Sequence, residues 1–450
     1  MSPDRGTLRP SHGPGPWRRL REACSEGGSV TAAEVQRTYL VLVLGNTLAA
    51  SLIWGINTLF LLDAGLSNAE AFAANAFFTL GMILFEVPTG VVADTVGRRR
   101  SYQLGTLTLA GSTALYWWLW VVQGPFWAWA LVSILLGLGF TFFSGAVEAW
   151  LVDALVATGF DGVLDSVFGR GQVVSGAAML VGSVAGGVIA QATNLGVPFL
   201  LRAAILVVMF LVASRVMRDL GFTPAEGLGV RASVQRTLRE SVHHGLGSPP
   251  VRWVMLAAPL LAGVGIYAFY ALQPLLLQLW GDPDAYAIAG TAAAVVAGSQ
   301  IIGGLLAAPV SARVARRTSV LIATCVGAAI LLVGAGIAGA AGSFWGVLFL
   351  AAGWALLGAV GTPIQGAYLN GMIPSQQRAT VLSFASLMGS GGGVVIQPAL
   401  GRVADVSGYS ASLVAGGVIQ VLAAPLLALS RRAGHPADRT GVGGGGQPTP

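Results

Sequence analysis

The sequence predicts an all-α polytopic membrane protein of twelve transmembrane helices, arranged as two six-helix pseudo-repeats. Three observations carry this. Of 450 residues, 54% are hydrophobic and only 10% charged, against about 25% charged in an ordinary soluble domain. The mean hydropathy of +0.73 is spread along the whole chain in a series of apolar runs, each long enough for a hydrocarbon core. All 25 basic residues are Arg, and they fall in the gaps between those runs. This excludes an ordinary soluble enzyme, and also a nucleic-acid binder, whose basic residues would cluster on one soluble face.

Taken in order, residues 1–38 are a tail rich in Gly, Pro, Arg and Ser that lacks the apolar core of a signal peptide, so the first span serves as the insertion signal. Apolar runs follow at 39–62, 69–93, 101–122, 126–155, 169–193 and 196–217, making an N-terminal bundle over 39–217. A polar linker, 218–250, interrupts. Within it 231–245 reads as a short amphipathic helix at the membrane surface, with Val234, Leu238 and Val242 four residues apart. Six further runs, at 251–280, 285–310, 319–341, 343–372, 379–403 and 409–429, make a C-terminal bundle over 251–429. The Gly-rich tail 430–450 cannot bury a core and is expected to be disordered. The 63 Gly residues suit helices packed closely through small side chains. Cys24 and Cys325 suggest neither a disulfide nor a metal site.

The distribution of Arg sets the orientation, because short cytoplasmic loops carry the basic excess. Tails, central linker and alternate loops hold 23 Arg, and only Arg202 and Arg402 fall toward the other side. Both termini and the linker are therefore expected in the cytoplasm of a multi-pass membrane protein. Arg202, inside the sixth span, is expected to snorkel toward the outer face. The halves also match each other. A shift of 218 positions lays Arg98 and Arg99 on Arg316 and Arg317, and Ala149-Trp150-Leu151 on Ala367-Tyr368-Leu369; a shift of 214 lays Gly187 and Ala190 on Gly401 and Ala404. Such parallel repeats enclose a central site in transporters.

After the second span stand Gly90, Asp94, Gly97, Arg98, Arg99 and Arg100. The two glycines permit tight turns and close backbone approach, and Asp94 at the membrane edge can pair with the arginines or cap a neighbouring helix. This resembles the signature loop Gly-x-x-x-Asp-Arg-x-Gly-Arg-Arg between the second and third helices of the major facilitator superfamily, with Thr95 in place of the first basic residue. Arg313, Arg316 and Arg317 are its remnant in the second half. The resemblance covers about residues 36–430. It implies the twelve-helix fold of that superfamily, alternating access, and a gating role for Gly90, Asp94, Gly97, Arg98 and Arg99. Asp153 and Arg170, near the same membrane edge, join that set, as does Arg378 in the segment Pro374 to Thr380, which is similar to a pattern in bacterial members.

Two intramembrane carboxylates are candidates for proton coupling, since such groups are costly and face protein or water. Glu148 shares a helical face with Thr141 and Ser144, at spacings of three and four. Desolvation there would let it exchange protons near neutral pH; a structural Glu paired with a hydroxyl is the alternative. Glu86 lies about 12 Å deeper than Asp94 along a straight helix, in the segment Phe85 to Gly90, which resembles bacterial drug-efflux members and in which Pro88 is expected to bend the helix. It serves either as a proton site or as a structural hydrogen bond between bundles.

On the helices that line the cavity in this superfamily, Asn46 and Asn57, Tyr267 and Gln278, and Trp354 and Gln365 recur at intervals of eleven, which nearly eclipses each pair. With Tyr270, Gln273, Tyr368, Thr141 and Ser144 they make an apolar, aromatic chamber with scattered hydrogen-bonding groups. Gly182, Ser183, Gly186 and Gly187 resemble the glycine motif of proton-coupled antiporters, with Ser183 where Pro is usual, and the fourth span lacks the Arg of that class.

The resemblance and these residues imply a secondary transporter, a monomer in the lipid bilayer without cofactor or metal. It is expected to exchange protons for a lipophilic small molecule such as an antibiotic, moving it outward. Uptake of a small nutrient is the alternative, and a sensor or a membrane enzyme a different class. An enzyme is disfavoured because His12, His243, His244 and His435 all lie in tails or linker, and no nucleotide-binding loop occurs.

Overall fold

The computed structural model describes residues 30–143, 145–224, 246–373 and 378–440. Helix starts follow local chemistry. α1 (Ala32–Trp54) begins with a capping box, in which the Glu34 N–H donates to Thr31 Oγ1 (3.3 Å) and the Glu34 carboxylate accepts from the Thr31 N–H (2.8 Å). α3 (Asn68–Val96) repeats the device with Ser67 and Glu70. Between them, α2 (Asn57–Asp63) completes the first pass after a break at Gly55 and Ile56. The N-terminal half continues with α4 (Arg98–Val122), α5 (Phe126–Thr141), α6 (Ala146–Ala157), α7 (Leu164–Ala192) and α8 (Gly196–Val216). The C-terminal half comprises α9 (Pro249–Trp280), α10 (Tyr286–Arg313), α11 (Arg317–Ala340), α12 (Phe344–Met372), α13 (Arg378–Val421) and α14 (Ala423–Ala433).

These helices make twelve passes. α5 and α6 share the fourth, and α13 contains two, turning at Gly408 (φ +83°). Ten stretches among the described residues are long and apolar enough to cross a bilayer. The segment 381–433 counts once although it crosses twice, and the Arg-bearing α4 is less apolar than the rest. The helix containing Pro88 runs on unbroken from Asn68 to Val96, with the Thr89 hydroxyl donating to the Phe85 carbonyl (2.8 Å). The expected surface helix at 231–245 lies outside the described residues.

Each half closes on itself by the same means. The Asp219 carboxylate, just past α8, accepts the Arg99 N–H (2.9 Å) at the start of α4. The Asp438 carboxylate, just past α14, accepts the Thr318 N–H (2.8 Å) and hydroxyl (3.0 Å) at the start of α11. In both halves, then, the chain returns after its sixth pass to satisfy the open N-terminus of its third.

The halves meet along two seams, α3 against α13 and α7 against α10, with α2 touching α9. Glycines gauge how close they come. At the Arg-poor end a Cβ on Gly290 would lie 2.5 Å from the Ser183 carbonyl oxygen, and one on Gly401 2.9 Å from that of Asn68. Midway, a Cβ on Gly298 reaches Leu180 only at 3.9 Å, one on Gly393 reaches Thr79 at 3.8 Å and one on Gly176 meets only the tip of the Ile301 side chain at 3.4 Å, and toward the Arg-rich end Gly90, Gly169 and Gly304 have nothing within 4 Å. The bundles therefore touch at the Arg-poor end and splay apart toward the Arg-rich one.

Candidate functional site

The closed end is built by side chains that reach across the seams to helix ends. The Asp405 carboxylate of α13 accepts the N–H groups of Asn68 (2.9 Å) and Ala69 (3.0 Å) at the start of α3. The Gln191 carbonyl of α7 accepts the Ala287 N–H (3.1 Å) at the start of α10. The Tyr409 hydroxyl also bonds Asn68. Deeper, the Gln273 amide donates to the Trp54 carbonyl (2.5 Å) and accepts the Thr58 N–H (3.3 Å), so a residue of one bundle satisfies the backbone groups freed by the break in the other. Phe72 packs on Tyr267 with ring centroids 4.5 Å apart.

Beneath this closure lies a central cavity of about 390 Å³. Trp54, Asn75, Phe78, Thr79 and Met82 line it from the N-terminal bundle, and Ile266, Phe269, Tyr270, Gln300 and Gln397 from the other. It joins a chamber of about 860 Å³ inside the C-terminal bundle, with Gly265, Ile266, Gln300 and Ser390 common to both. Thr324, Trp354, Thr362, Gln365, Ser386 and Gln420 supply the polar surface of that chamber. Among the described residues no Asp, Glu, Arg or His lines either space.

The sequence-derived set divides accordingly. Tyr270 lines the central cavity, and Trp354 and Gln365 the chamber, where the Trp354 indole donates to Gln420 (3.2 Å). Asn57 sits just behind the cavity and donates to Asn75 (2.9 Å). Gln273 and Tyr267 are buried in the closure, the latter donating to Ser412 (2.5 Å). Asn46 accepts from the Tyr102 hydroxyl (2.8 Å) inside its own bundle, and the buried Tyr368 shares a hydrogen bond with Ser430 (3.1 Å). Gln278 is exposed at the Arg-poor end.

Three expectations are corrected. The tail, expected to be disordered from residue 430, is ordered as far as Thr440, because α14 runs on to Ala433 and Asp438 is buried against Thr318. The shared face of Thr141, Ser144 and Glu148 required one continuous helix, but α5 ends at Thr141 and Gly145 takes φ +71°, so the chain turns between them. Thr141 is buried and bonds the Leu138 carbonyl, Ser144 lies outside the described residues, and the freed Phe142 carbonyl accepts from Ser101 (3.1 Å). Glu148 falls in the first turn of α6, exposed and within electrostatic reach of Tyr39. Arg202 does not snorkel. It is 8% exposed, its Nε is sealed from water without a hydrogen bond, and its ionisable neighbours are Tyr116 and Tyr270. The apolar face of α8 that carries Phe199, Leu206 and Met209 turns inward and takes Arg202 with it.

Glu86 stands differently. Asn75, Thr79, Met82 and Glu86 fall on one face of α3, which places the half-buried Glu86 about 6 Å beyond Met82 toward the splayed end. At that end Arg98 bonds Asp94 and lies 3.8 Å from the Asp153 carboxylate, while Arg99 donates to the Ser214 carbonyl. Gly97, at φ +115°, lets the chain pass from α3 into α4. All these partners belong to the N-terminal bundle. Arg170 is exposed, and the Arg378 side chain is outside what the structure describes.

Sequence patterns do not single out Asp405, Gln191, Asn75 or Gln397. One signal pointed to the first two: the shift of 214 that lays Gly187 on Gly401 also lays Gln191 on Asp405.

Comparison with known proteins agrees with this architecture. The family model of the Major Facilitator Superfamily matches residues 39–283. No curated protein matches the chain. Among solved structures, the nucleoside transporter NupG superposes with a TM-score of 0.73 at 12% identity, over 88% of this chain and 98% of that one. A peptide transporter POT in complex with sulfate gives 0.70 at 14%, over 89% and 95%. A bacterial homologue of the human lysosomal transporter Spinster, in an inward-facing and unoccupied conformation, gives 0.65 at 17%, over 90% and 98%. At these identities the likeness is one of fold.

Proposed function

The chain belongs to the major facilitator superfamily of transporters, and from that premise we propose a secondary active transporter that works by alternating access and exports a lipophilic small molecule, such as an antibiotic, against protons. The observation that carries this is the cavity between two bundles that touch at one end and part at the other. With the Arg-rich end in the cytoplasm, the arrangement is the inward-facing state of a monomer in the bacterial plasma membrane, its N-terminal bundle (39–217) and C-terminal bundle (251–429) joined by a cytoplasmic linker.

In this reading the proton is carried by Glu86, on the cavity face of α3, or by Glu148, at the splayed mouth. Asp94, Arg98 and Asp153 form a charged cluster that engages the other bundle when the mouth closes, with Gly90 and Gly97 permitting the approach and Arg99, Arg170 and Arg378 around it. The amide-rich chamber also favours a second reading, uptake of a small polar nutrient.

The test is accumulation of a chemically diverse compound panel in efflux-deficient bacteria displaying the protein, with the proton gradient present or collapsed. Lower accumulation that disappears on collapse supports proton-coupled export. Higher accumulation of any compound supports uptake, and no change for any compound counts against export.

A further inference from the structure

The outer faces of α4 and α8 converge on positive charge that the protein does not offset. On α4, Arg100, Leu104 and Leu107 follow at spacings of four and three and are all exposed. On α8, Val208, Leu211 and Arg215 do the same, and the exposed Arg218 stands just beyond the helix end. In a chain that spans a membrane such exposed stripes face lipid, and both of these end in Arg at the Arg-rich membrane edge. The two helices pack side by side. Between them the Gln103 amide donates to the Ser214 hydroxyl (2.8 Å) and the Arg99 guanidinium to the Ser214 carbonyl, which closes the floor of the groove.

At the Arg-rich end of that floor is an open cleft of about 620 Å³, lined by Val96, Arg99, Arg100, Gln103, Arg218 and Asp219. Its charges do not cancel. Three guanidinium groups meet one carboxylate, and that carboxylate already accepts the Arg99 N–H (2.9 Å). Arg98 is paired with Asp94 and lies 3.8 Å from Asp153, whereas among the described residues Arg100, Arg215 and Arg218 make no ion pair. Glu34 of α1 is within electrostatic reach of Arg218, but its carboxylate is engaged in its own capping box. Arg100 and Arg218 are exposed, so a group entering the cleft reaches their guanidinium ends directly.

The complement of this surface is an anion with an apolar body. A phosphate fits the guanidinium groups, and chains attached to it fit the apolar stripes that run from the cleft along α4 and α8. Inorganic phosphate would leave those stripes unused. A zwitterionic headgroup would bring an ammonium into a cleft with surplus positive charge, whereas basic residues at a membrane edge attract anionic lipid. We infer that the cleft binds an anionic phospholipid, with its phosphate among Arg99, Arg100 and Arg218 and an acyl chain along the groove between α4 and α8. The inference rests on the chain spanning a membrane, and is independent of the substrate, direction and coupling proposed above.

The experiment follows thermal unfolding of the purified full chain in an uncharged detergent against added dioleoylphosphatidylglycerol, dioleoylphosphatidylcholine or inorganic phosphate. Phosphatidylglycerol is expected to stabilise the wild type saturably, and phosphatidylcholine and inorganic phosphate not to at the same concentrations. The double variant Arg100→Gln/Arg218→Gln should raise the half-saturating concentration of phosphatidylglycerol about thirtyfold, the loss expected for two basic residues at a membrane surface. Arg431→Gln/Arg432→Gln, which removes the same charge from exposed positions at the end of α14, should leave it unchanged. Equal stabilisation by phosphatidylcholine overturns the inference, as does an equal loss in the α14 variant, which would make the effect one of net charge. An unchanged response in the α4–α8 variant overturns it too, and equal stabilisation by inorganic phosphate would make the cleft a site for free anions. If the double variant fails to fold, Arg218→Gln alone, expected to shift the midpoint about fivefold, decides with the three probes on the wild type.

Discussion

Replacing Asp405 should unlock the closed end of the molecule. Its carboxylate holds two backbone N–H groups at 2.9 and 3.0 Å on the first turn of a helix in the opposite bundle. A hydrogen bond to a charged group contributes about 1.5 to 3 kcal/mol, and the helix dipole adds about 0.3 to 1 kcal/mol. Asp405 is half-buried, so the lower figures apply, and Asp405→Ala should cost the closed state about 3 kcal/mol, roughly a 150-fold shift in the closed-to-open ratio. A population that starts near 99 to 1 would then be divided about evenly. Gln191→Ala, which removes one neutral bond at the equivalent place in the other seam, should cost about 1 kcal/mol and shift the ratio roughly fivefold. The assay is a spin-label distance measurement between Val122 and Ala341, both exposed near the Arg-poor end, in a cysteine-free background. A long-distance population should appear in Asp405→Ala and only weakly in Gln191→Ala. An unchanged distribution in Asp405→Ala, or a larger change in Gln191→Ala, would refute the electrostatic account of the closure.

Three further outcomes are expected. Glu148→Gln or Glu86→Gln, whichever carries the proton, should abolish transport driven by a pH gradient while leaving exchange of compound across a symmetrical gradient; unchanged gradient-driven transport in both variants would exclude coupling through either. Arg202→Met should raise the melting temperature, because a buried cation whose Nε has no hydrogen-bond partner is exchanged for an apolar chain of similar length, a gain of about 1 to 3 kcal/mol; a fall would show that the guanidinium is compensated. Asp438→Ala should destabilise the C-terminal bundle by about 2 kcal/mol, since it strands the buried Thr318 N–H and hydroxyl. Asp219→Ala, with one backbone bond to lose, should cost less, and thermal unfolding of the two variants ranks them.

The twelve passes were legible because hydropathy integrates over whole spans and the Arg residues mark their ends. The loop from Gly90 to Arg100 was legible as a motif. What hydropathy does not register is a change of φ and ψ inside an apolar run. The breaks at Gly55–Ile56 and Phe142–Gly145 leave composition untouched, yet they send Asn57 to Asn75 and separate Thr141 from Glu148. Helical spacing therefore placed residues on faces that the turns dissolve. Gln273, expected among the hydrogen-bonding groups of the chamber, is buried instead against backbone groups exposed by a break, which only the fold reveals. Asn75 and Gln397 carry no pattern at all, being single amides among many. Asp405 was the closest miss, one position beyond the repeat match that ends at Ala404.

The return of the chain after each sixth pass has a consequence for how the protein is made and handled. The third helix of a bundle emerges with its first N–H groups open, and the carboxylate that satisfies them follows some 120 residues later. For the N-terminal bundle that carboxylate, Asp219, arrives with the first residues of the linker. For the C-terminal bundle it arrives only after the twelfth pass, so a chain truncated at Gly434 would contain every membrane pass and still leave a helix unfinished. An affinity tag spliced in before Asp438 would compete with the same contact, whereas one placed after Thr440 leaves it intact.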